Sequence, residues 1–596
     1  MQADMLFTNA RVYNVFLKQW NTIEVAVLNG KILYTGDARE AGITSIEVID
    51  CENRPLIPGM IDIHLHIESS LCVPTTFAKA VLPHGVTTVV SEPHEIANVF
   101  GLSGVEEMIR VSEGAVIDIF YGVPSSVPST NKELETTGGT IDTDELEILM
   151  RNHPDVICLG EVMNYSAVIN SFEETTTANT AKRLKTLELI THMQKNYPLA
   201  AVEGHCPSVT DLDLSKLLYA GIGSDHCLQD VEGMHQRFSN GMFVELQEKS
   251  ITKDIIGYIV EHDVDGLYSL VTDDVPPDIL TTKGHLDHVV RQALKQGLSL
   301  EQVIIATSYA PAARMNFHDR GVIAPGRIAD FILLKDTSDT FSIKAVYKRG
   351  VSQERIAKQN LENKEFNRAY TESLILPEDL LDTNKLFSIE TTQKTGTILT
   401  LIIRKNRKNT YTEAVTRELR QKNNHLLWEN QKNLNLVVVI ERYTGKGEYS
   451  QGLMDGTTIH HGAFCSSYAH DHHNLLIIGD NPQDMKIALQ RVIEIQGGMC
   501  VVDTGIVTAE LQLPIGGILS EEPMEPLASK AIEIQKNLRE LGIDHKNPIM
   551  SLCTITLPVS PKLKITDRGL IDVEKEKSVK LFLEELNLVE TNDKQK

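Results

Sequence analysis

Residues 58–70 read Pro58-Gly59-Met60-Ile61-Asp62-Ile63-His64-Leu65-His66-Ile67-Glu68-Ser69-Ser70. The run from Ile61 to Ile67 has the apolar character of a strand, and in a strand residues i and i+2 point to the same face. His64 and His66 therefore present two imidazoles side by side at its end, spaced to grip one metal ion. An HxH pair alone decides nothing, because two polar residues at a strand end read the same way. The ends of the later strands decide it.

Working outward, seven further strand-like runs come after this one: 87–91, 117–123, 156–162, 200–204, 221–224, 242–247 and 268–272. Amphipathic helix candidates separate several of them, for example 179–194 and 285–296. Eight such units in some 260 residues match a (β/α)8 barrel, whose chemistry sits at the C-terminal ends of its strands. Those ends carry metal-ligand side chains. Glu161 closes the fourth run and His205 the fifth; His226 follows the sixth; Asp273 and Asp274 close the eighth. Four imidazoles and two carboxylates are the inventory for two divalent ions sharing a bridging oxygen.

On either side of the barrel the texture changes. Residues 1–57 are short strand-like runs with a hairpin signal at Asn29-Gly30. Residues 320–352 return to β character and are expected to pair with them, which makes a small β-sandwich into which the barrel, residues 58–319, is inserted. A polar stretch, 353–379, reads as an exposed helix or linker. Residues 380–596 form a separate C-terminal α/β domain whose last twenty residues are charged and expected to fray. The fold class is α/β: a TIM-like metal-dependent hydrolase barrel, a small β-sandwich and a further α/β domain.

Composition narrows the partners. The chain has 596 residues, with 57 Lys+Arg against 81 Asp+Glu and a net charge of −24. That disfavours nucleic acid or an anionic membrane as the main partner, since both need a positive surface. The apolar runs are too short to span a bilayer. The N-terminus lacks the basic and apolar regions of a secretory leader. The 8 cysteines are scattered with no CxxC pair, as expected of reduced thiols in the cytoplasm.

The stretch from His64 to Asp273 resembles the amidohydrolase superfamily, and the finer motifs resemble its adenine deaminase family. These are residues 58–70, Glu92-Pro93-His94-Glu95-Ile96-Ala97-Asn98-Val99, Gly204-His205-Cys206-Pro207, and Asp273-Asp274 with Gly284-His285. In the C-terminal region they are Ala469-His470-Asp471-His472-His473-Asn474 and Leu513-Pro514-Ile515-Gly516-Gly517. The resemblance runs from about residue 5 to about residue 575. It implies hydrolysis of adenine to hypoxanthine and ammonia, with water activated at two divalent ions, Mn2+ or Fe2+, attacking C6. It implies His64, His66 and Asp273 on one ion, His205 and His226 on the other, and Glu161 between them. It also implies a homo-oligomer in purine salvage, acting on a small-molecule purine base. Asp273 is the expected proton carrier, and Glu248 and His94 are the candidate acids for the ring. Ser69, Glu95, Asp274 and His285 are candidate substrate contacts.

The match has gaps. Gln247 stands where the family has arginine, Val275 where an arginine follows the paired aspartates, Lys283 where a glutamate is common, and Glu92 where aspartate is typical. These lie on the presumed substrate side. They leave open another aminopurine, a related heterocycle or a cyclic amide as substrate, or a non-catalytic metal-binding paralogue. His470–His473 reads more readily as a polar loop, or as packing at the barrel mouth, than as a further metal site, and His460-His461 as surface. Cys206 and Cys227, neighbours of ligands on strands, are expected to point away from the ions.

Overall fold

The computed structural model describes residues 1–172, 180–359, 364–380, 384–429 and 431–583. They form two compact units. The first comprises Met1–Pro93, Glu106–Ser126 and Asp142–Glu365; the second comprises His94–Val105, Val127–Ile141 and the residues from Phe366 onward.

In the first unit the expected runs become eight strands: Met60–Leu65, Val86–Ser91, Asp118–Val123, Val156–Val162, Ala201–Gly204, Ser224–Asp225, Phe243–Leu246 and Tyr268–Leu270. The first five pair in sequence in one sheet and the last three in another, all in parallel. Two seams close the ring. Gly223 N donates to Val202 O at 3.0 Å, and Asp273 N donates to His64 O at 3.0 Å. Strand six starts later than its apolar run suggests. Gly221, at φ 100°, adopts the left-handed backbone that turns the chain after the helix Asp211–Tyr219, so pairing begins only at Ser224. The helix expected over 179–194 is Thr180–Asn196, with residue 179 outside the described residues.

A second sheet in this unit joins Gln2–Asn14, Gln19–Leu28, Lys31–Gly36, Thr44–Asp50 and Pro55–Pro58 to Phe331–Leu334, Ile343–Lys348 and Val351–Ser352. Phe331–Leu334 runs antiparallel to Pro55–Pro58, so the chain returns after the barrel to the strands it left. Phe7 packs edge-on against Phe331 and Tyr347, with ring centroids 5.2 and 4.9 Å away. Asn29 and Gly30 both have positive φ, 52° and 72°, as a two-residue hairpin loop requires.

A charge cluster ties the sheet to the barrel. Asp118, on barrel strand three, accepts from Lys348 Nζ at 2.7 Å, Arg320 Nη1 at 2.8 Å and Arg349 Nη2 at 3.1 Å. Burial alone would raise the Asp118 carboxyl. The cations outweigh it and bring it from 3.8 down to about 2. Because the folded value is depressed, this stabilisation is complete above about pH 4 and disappears as pH falls towards 2, and it amounts to about 2 kcal/mol. Asp118→Asn removes one arm of the cluster while Lys348 keeps Asp330 at 2.6 Å and Arg320 keeps Asp319 at 2.8 Å, and it is expected to cost about 2 kcal/mol at pH 7. The check is a lowered urea midpoint at pH 7; an unchanged midpoint would contradict it.

The second unit is built on a nine-stranded sheet running from His425–Leu426 and the hairpin Thr412–Lys422 and Thr395–Lys405 to Gly498–Asp503 and Ile506–Gln512. Its inner strands, Asn435–Ile440 and Leu475–Gly479, are buried along their whole length. The helix Pro482–Glu494 starts with proline in its first turn and the Asn481 side chain accepting from Asp484 N. A three-stranded sheet, Leu563–Thr566, Gly569–Asp572 and Lys577–Val579, completes the unit.

Two segments of the range read as barrel belong to this unit instead. Residues 127–141 are bound there by Thr136, which donates to Asp567 through its hydroxyl at 2.6 Å and its N–H at 3.0 Å. The helix His94–Phe100 is joined to them by Gly138 N donating to Asn98 O at 2.8 Å. The polar stretch after residue 352 opens with a short helix, Gln353–Ala357; of the last twenty residues, expected to fray, Lys577–Val579 instead form a strand, and residues 360–363 and those past 583 lie outside the described residues. Among the described residues no helix is long and apolar enough to cross a membrane.

Candidate metal centre

The barrel geometry brings His64, His66, Glu161, His205, His226 and Asp273 together. His66 is fixed first. Its Nδ1 lies 3.0 Å from Glu92 O, so it donates there and leaves the Nε2 lone pair facing inward. That Nε2 is 3.4 Å from Glu161 Oε1 and 3.4 Å from Asp273 Oδ1. Glu161 turns its other oxygen to the far side: Oε2 is 2.8 Å from His205 Nδ1 and 3.1 Å from His226 Nε2. His64 stacks on His226 with centroids 3.8 Å apart, and its buried Nε2, with no hydrogen-bond partner, is 3.8 Å from Asp273 Oδ1.

These contacts fit cations better than they fit hydrogen bonds. His205 Nδ1, His226 Nε2 and Glu161 Oε2 lie 2.8–3.1 Å from one another, three lone-pair atoms around one point. Without an ion both imidazoles must donate to this one carboxylate oxygen, whereas a divalent ion satisfies all three atoms through their lone pairs. Burial would raise Glu161, but the His226 charge and the bonds from His205 and His226 hold it well below the usual carboxylate range. Asp273 is likewise held low against burial by the His66 bond and the charges of Lys249, His226 and His64. Both carboxylates are thus ionised. Burial and the His226 charge push His64 down, which keeps it neutral and able to coordinate.

Asp273 has φ 61°, a left-handed backbone that costs a non-glycine residue on the order of 1 kcal/mol. Its N–H closes the barrel, and its Oδ2 accepts from Gln247 Nε2 at 2.5 Å, with Lys249 Nζ 3.8 Å away. The departure at Gln247 therefore keeps a donor on this carboxylate, and Lys249 supplies positive charge beside it.

The structure does not bring every candidate into the ring. Glu248 is exposed and pairs with His288 at 3.1 Å, while the residue before it, Gln247, is buried against Asp273. His285 lies 3.4 Å from Thr272 Oγ1 and 3.9 Å from Asp62, packed edge-on to Phe77; burial and the His84 charge bring it down to about 3, so it is neutral. The Ser69 hydroxyl donates to Asp274 at the rim. Lys283 is exposed, and Val275 is buried with its carbonyl accepting from Ser70 Oγ at 2.8 Å.

One expectation about the thiols fails. Cys227 does not point away; its sulfur lies within 4.8 Å of the ligand atoms of His205 and His226. Strand six ends at Asp225, so the alternation that would turn Cys227 aside has already stopped. Burial pushes the Cys227 thiol well up, so it is protonated and a weak ligand.

The supporting shell is not legible in the sequence. Glu92 Oε2 accepts from Glu161 N at 2.8 Å, across a gap that exists because residue 160 is glycine: a Cβ there would meet Glu92 Cδ at 2.4 Å. Asp225 Oδ1 accepts from both Cys206 N and Cys227 N at 3.0 Å, the residues next in the chain after His205 and His226.

Residues 56–352 match the model of the amidohydrolase family, the class of protein that this barrel and its ligand ring define. Residues 409–577 match the adenine deaminase C-terminal domain. An adenine deaminase of Clostridium perfringens (strain 13 / Type A) is 43% identical over 597 residues, covering 98% of this chain and 99% of that protein. Adenine deaminase 2 of Shouchella clausii is 43% identical over 589 residues, covering 98% of this chain and all of that protein. The chain belongs to the adenine deaminase family.

Proposed function

We propose that this chain hydrolyses adenine to hypoxanthine and ammonia. Family membership over nearly the full length supports the substrate. The observation that carries the chemistry is Glu161, with one oxygen towards His66 and the other towards His205 and His226. In this reading His64, His66 and Asp273 would hold one divalent ion and His205 and His226 the other, with Glu161 able to serve both. Mn2+ or Fe2+ suits the mixture of imidazole and carboxylate. When bound, two such ions lower the pKa of water and supply a nucleophile at neutral pH.

The chain's own residues do the rest. Asp273, ionised and held by Gln247, takes a proton from the attacking water and returns it towards the leaving amino group. In this reading Ser69 and Asp274, hydrogen-bonded to each other, are the residues that contact the purine. Glu248, exposed on His288, is left out of the chemistry. We also assign the enzyme to purine salvage in the cytoplasm, as a homo-oligomer, on the strength of the family resemblance.

The test is ammonia release from adenine by the manganese-reconstituted protein, beside a His66→Ala variant. The parent should turn over and the variant should lose at least about 10³-fold of kcat, the range of a lost essential catalytic group. A parent that carries metal and leaves adenine intact would refute the substrate and shift the search to other aminopurines.

A further inference from the structure

Two lysines of the second unit lie where lysine is seldom found. Lys405 closes the strand Thr395–Lys405, and Lys564 sits in the strand Leu563–Thr566. They are 1% and 0% exposed. Lysine is almost never fully buried unless it is paired with an acid.

Both hold the same turn. Lys405 Nζ donates to Asn409 O at 2.9 Å, and Lys564 Nζ donates to Thr410 O at 2.8 Å and to Thr554 O at 2.9 Å. Asn409 and Thr410 are consecutive residues of the turn 406–411, which joins Thr395–Lys405 to its hairpin partner Thr412–Lys422. Lys564 therefore fastens a turn of the nine-stranded sheet to the three-stranded one, and to the end of the helix Pro548–Cys553.

Every partner is a neutral carbonyl, and the number of protons matters. An ammonium has three to place, a neutral amine two. Among the described residues Lys564 finds two acceptors and Lys405 one. A third proton would be a buried donor without an acceptor, on a buried charge without a counter-charge. The acids on the flanking strands and turns pair elsewhere. Asp455 takes Arg404 at 2.8 Å, Asp544 takes Arg407 at 3.1 Å, Glu574 takes Lys562 at 3.3 Å and Asp572 takes Lys575 at 2.7 Å. Glu413 lies opposite Arg404 in the hairpin, and Lys408 is exposed. Residues 548–556 carry no charged side chain. His545 is brought down by burial and by the Lys405 charge, so it adds no counter-charge. Burial brings Lys405 from 10.5 down to about 8, and burial together with the Lys405 charge takes Lys564 well below its ordinary value.

We propose that Lys405 and Lys564 form a pH-sensitive latch on the hairpin turn 406–411: as neutral amines they pin it to the three-stranded sheet, and a proton taken up by either loosens it. In the opened turn both lysines meet water and regain their ordinary affinity for protons. Opening therefore takes protons up. It is favoured as pH falls towards 8 and suppressed as pH rises from there towards 10.5.

The experiment is hydrogen exchange of the turn in the full-length protein. Asn409 N and Tyr411 N are bonded within the turn, to Asn406 Oδ1 at 2.9 Å and to Asn409 Oδ1 at 3.0 Å, so their exchange reports its opening. Corrected for the intrinsic pH dependence of exchange, their protection should rise at least about fivefold from pH 8.5 to pH 9.5. In Lys405→Met/Lys564→Met, of similar volume and without the amines, the rise should vanish, with circular dichroism confirming the fold. Protection that stays flat in the parent, or that rises equally in the variant, overturns the proposal. Should the double variant not fold, Lys405→Met and Lys564→Met must each flatten the rise in part, and an unchanged slope in both overturns it. Protection gained at pH 7 on adding phosphate at constant ionic strength also overturns it, because a bound anion would then be the counter-charge.

Discussion

Asp273→Asn is expected to lower kcat for adenine by about 10³-fold or more while the chain stays folded, the upper part of the range for a lost general base. The amide is the same size and can still accept from Gln247, which now donates to Asp273 Oδ2 at 2.5 Å. The seam bond from Asp273 N to His64 O belongs to the backbone and is untouched. What goes is the negative charge, and with it the ability to accept a proton from water. Oδ1, 3.4 Å from His66 Nε2, also becomes a poorer ligand. Single-turnover ammonia release, with thermal melts as the fold control, reads the result. Activity within tenfold of the parent would remove Asp273 from the chemistry. Gln247→Leu makes the complementary point: it leaves the carboxylate but frees its outer oxygen, so a smaller loss is expected, about tenfold, for one lost hydrogen bond to a charged group.

Much of this site is readable in the sequence because it sits at strand ends. The eight apolar runs set the barrel order, and the ligand at each end follows from where such barrels place chemistry. Legibility stops where contacts depend on distant residues. Nothing near Thr136 says that it bonds Asp567, 431 positions away, so residues 127–141 read as barrel although they pack in the other unit. His470–His473 read as a loop because four polar residues in a row normally face water. Glu95, 378 positions away from His473, is what compensates their burial. Cys227 departs from expectation for a local reason, since the period-two rule does not extend beyond the end of a very short strand.

Asp225 is the residue whose loss should reach furthest without touching substrate. It lies on the two-residue strand six and is fully buried. One oxygen accepts from Cys206 N and Cys227 N, and so sets the backbone just past both His205 and His226. The other accepts from Arg237 Nε at 2.6 Å and Gln229 Nε2 at 2.8 Å. Arg237 closes the loop by donating to Cys206 O at 2.9 Å. The carboxylate is thus a clamp holding the two imidazoles at the 3.1 Å separation at which both face Glu161 Oε2. Asp225→Asn turns an amide N–H₂ towards two donors and leaves Arg237, 2% exposed, as an unpaired buried cation. Breaking a buried pair in this way costs about 3–5 kcal/mol. Loosening an outer-shell partner typically weakens metal binding by about 10–100-fold. The expected result is therefore a double loss: a lower urea midpoint, and release of metal to a competing chelator at a concentration the parent withstands. Manganese retained as in the parent, with stability within about 1 kcal/mol, would show that Asp225 and Arg237 merely fill space. Arg237→Lys separates the two effects. It keeps the charge but cannot reach both Asp225 and Cys206 O with a fixed planar fork. It should recover most of the stability and only part of the metal affinity.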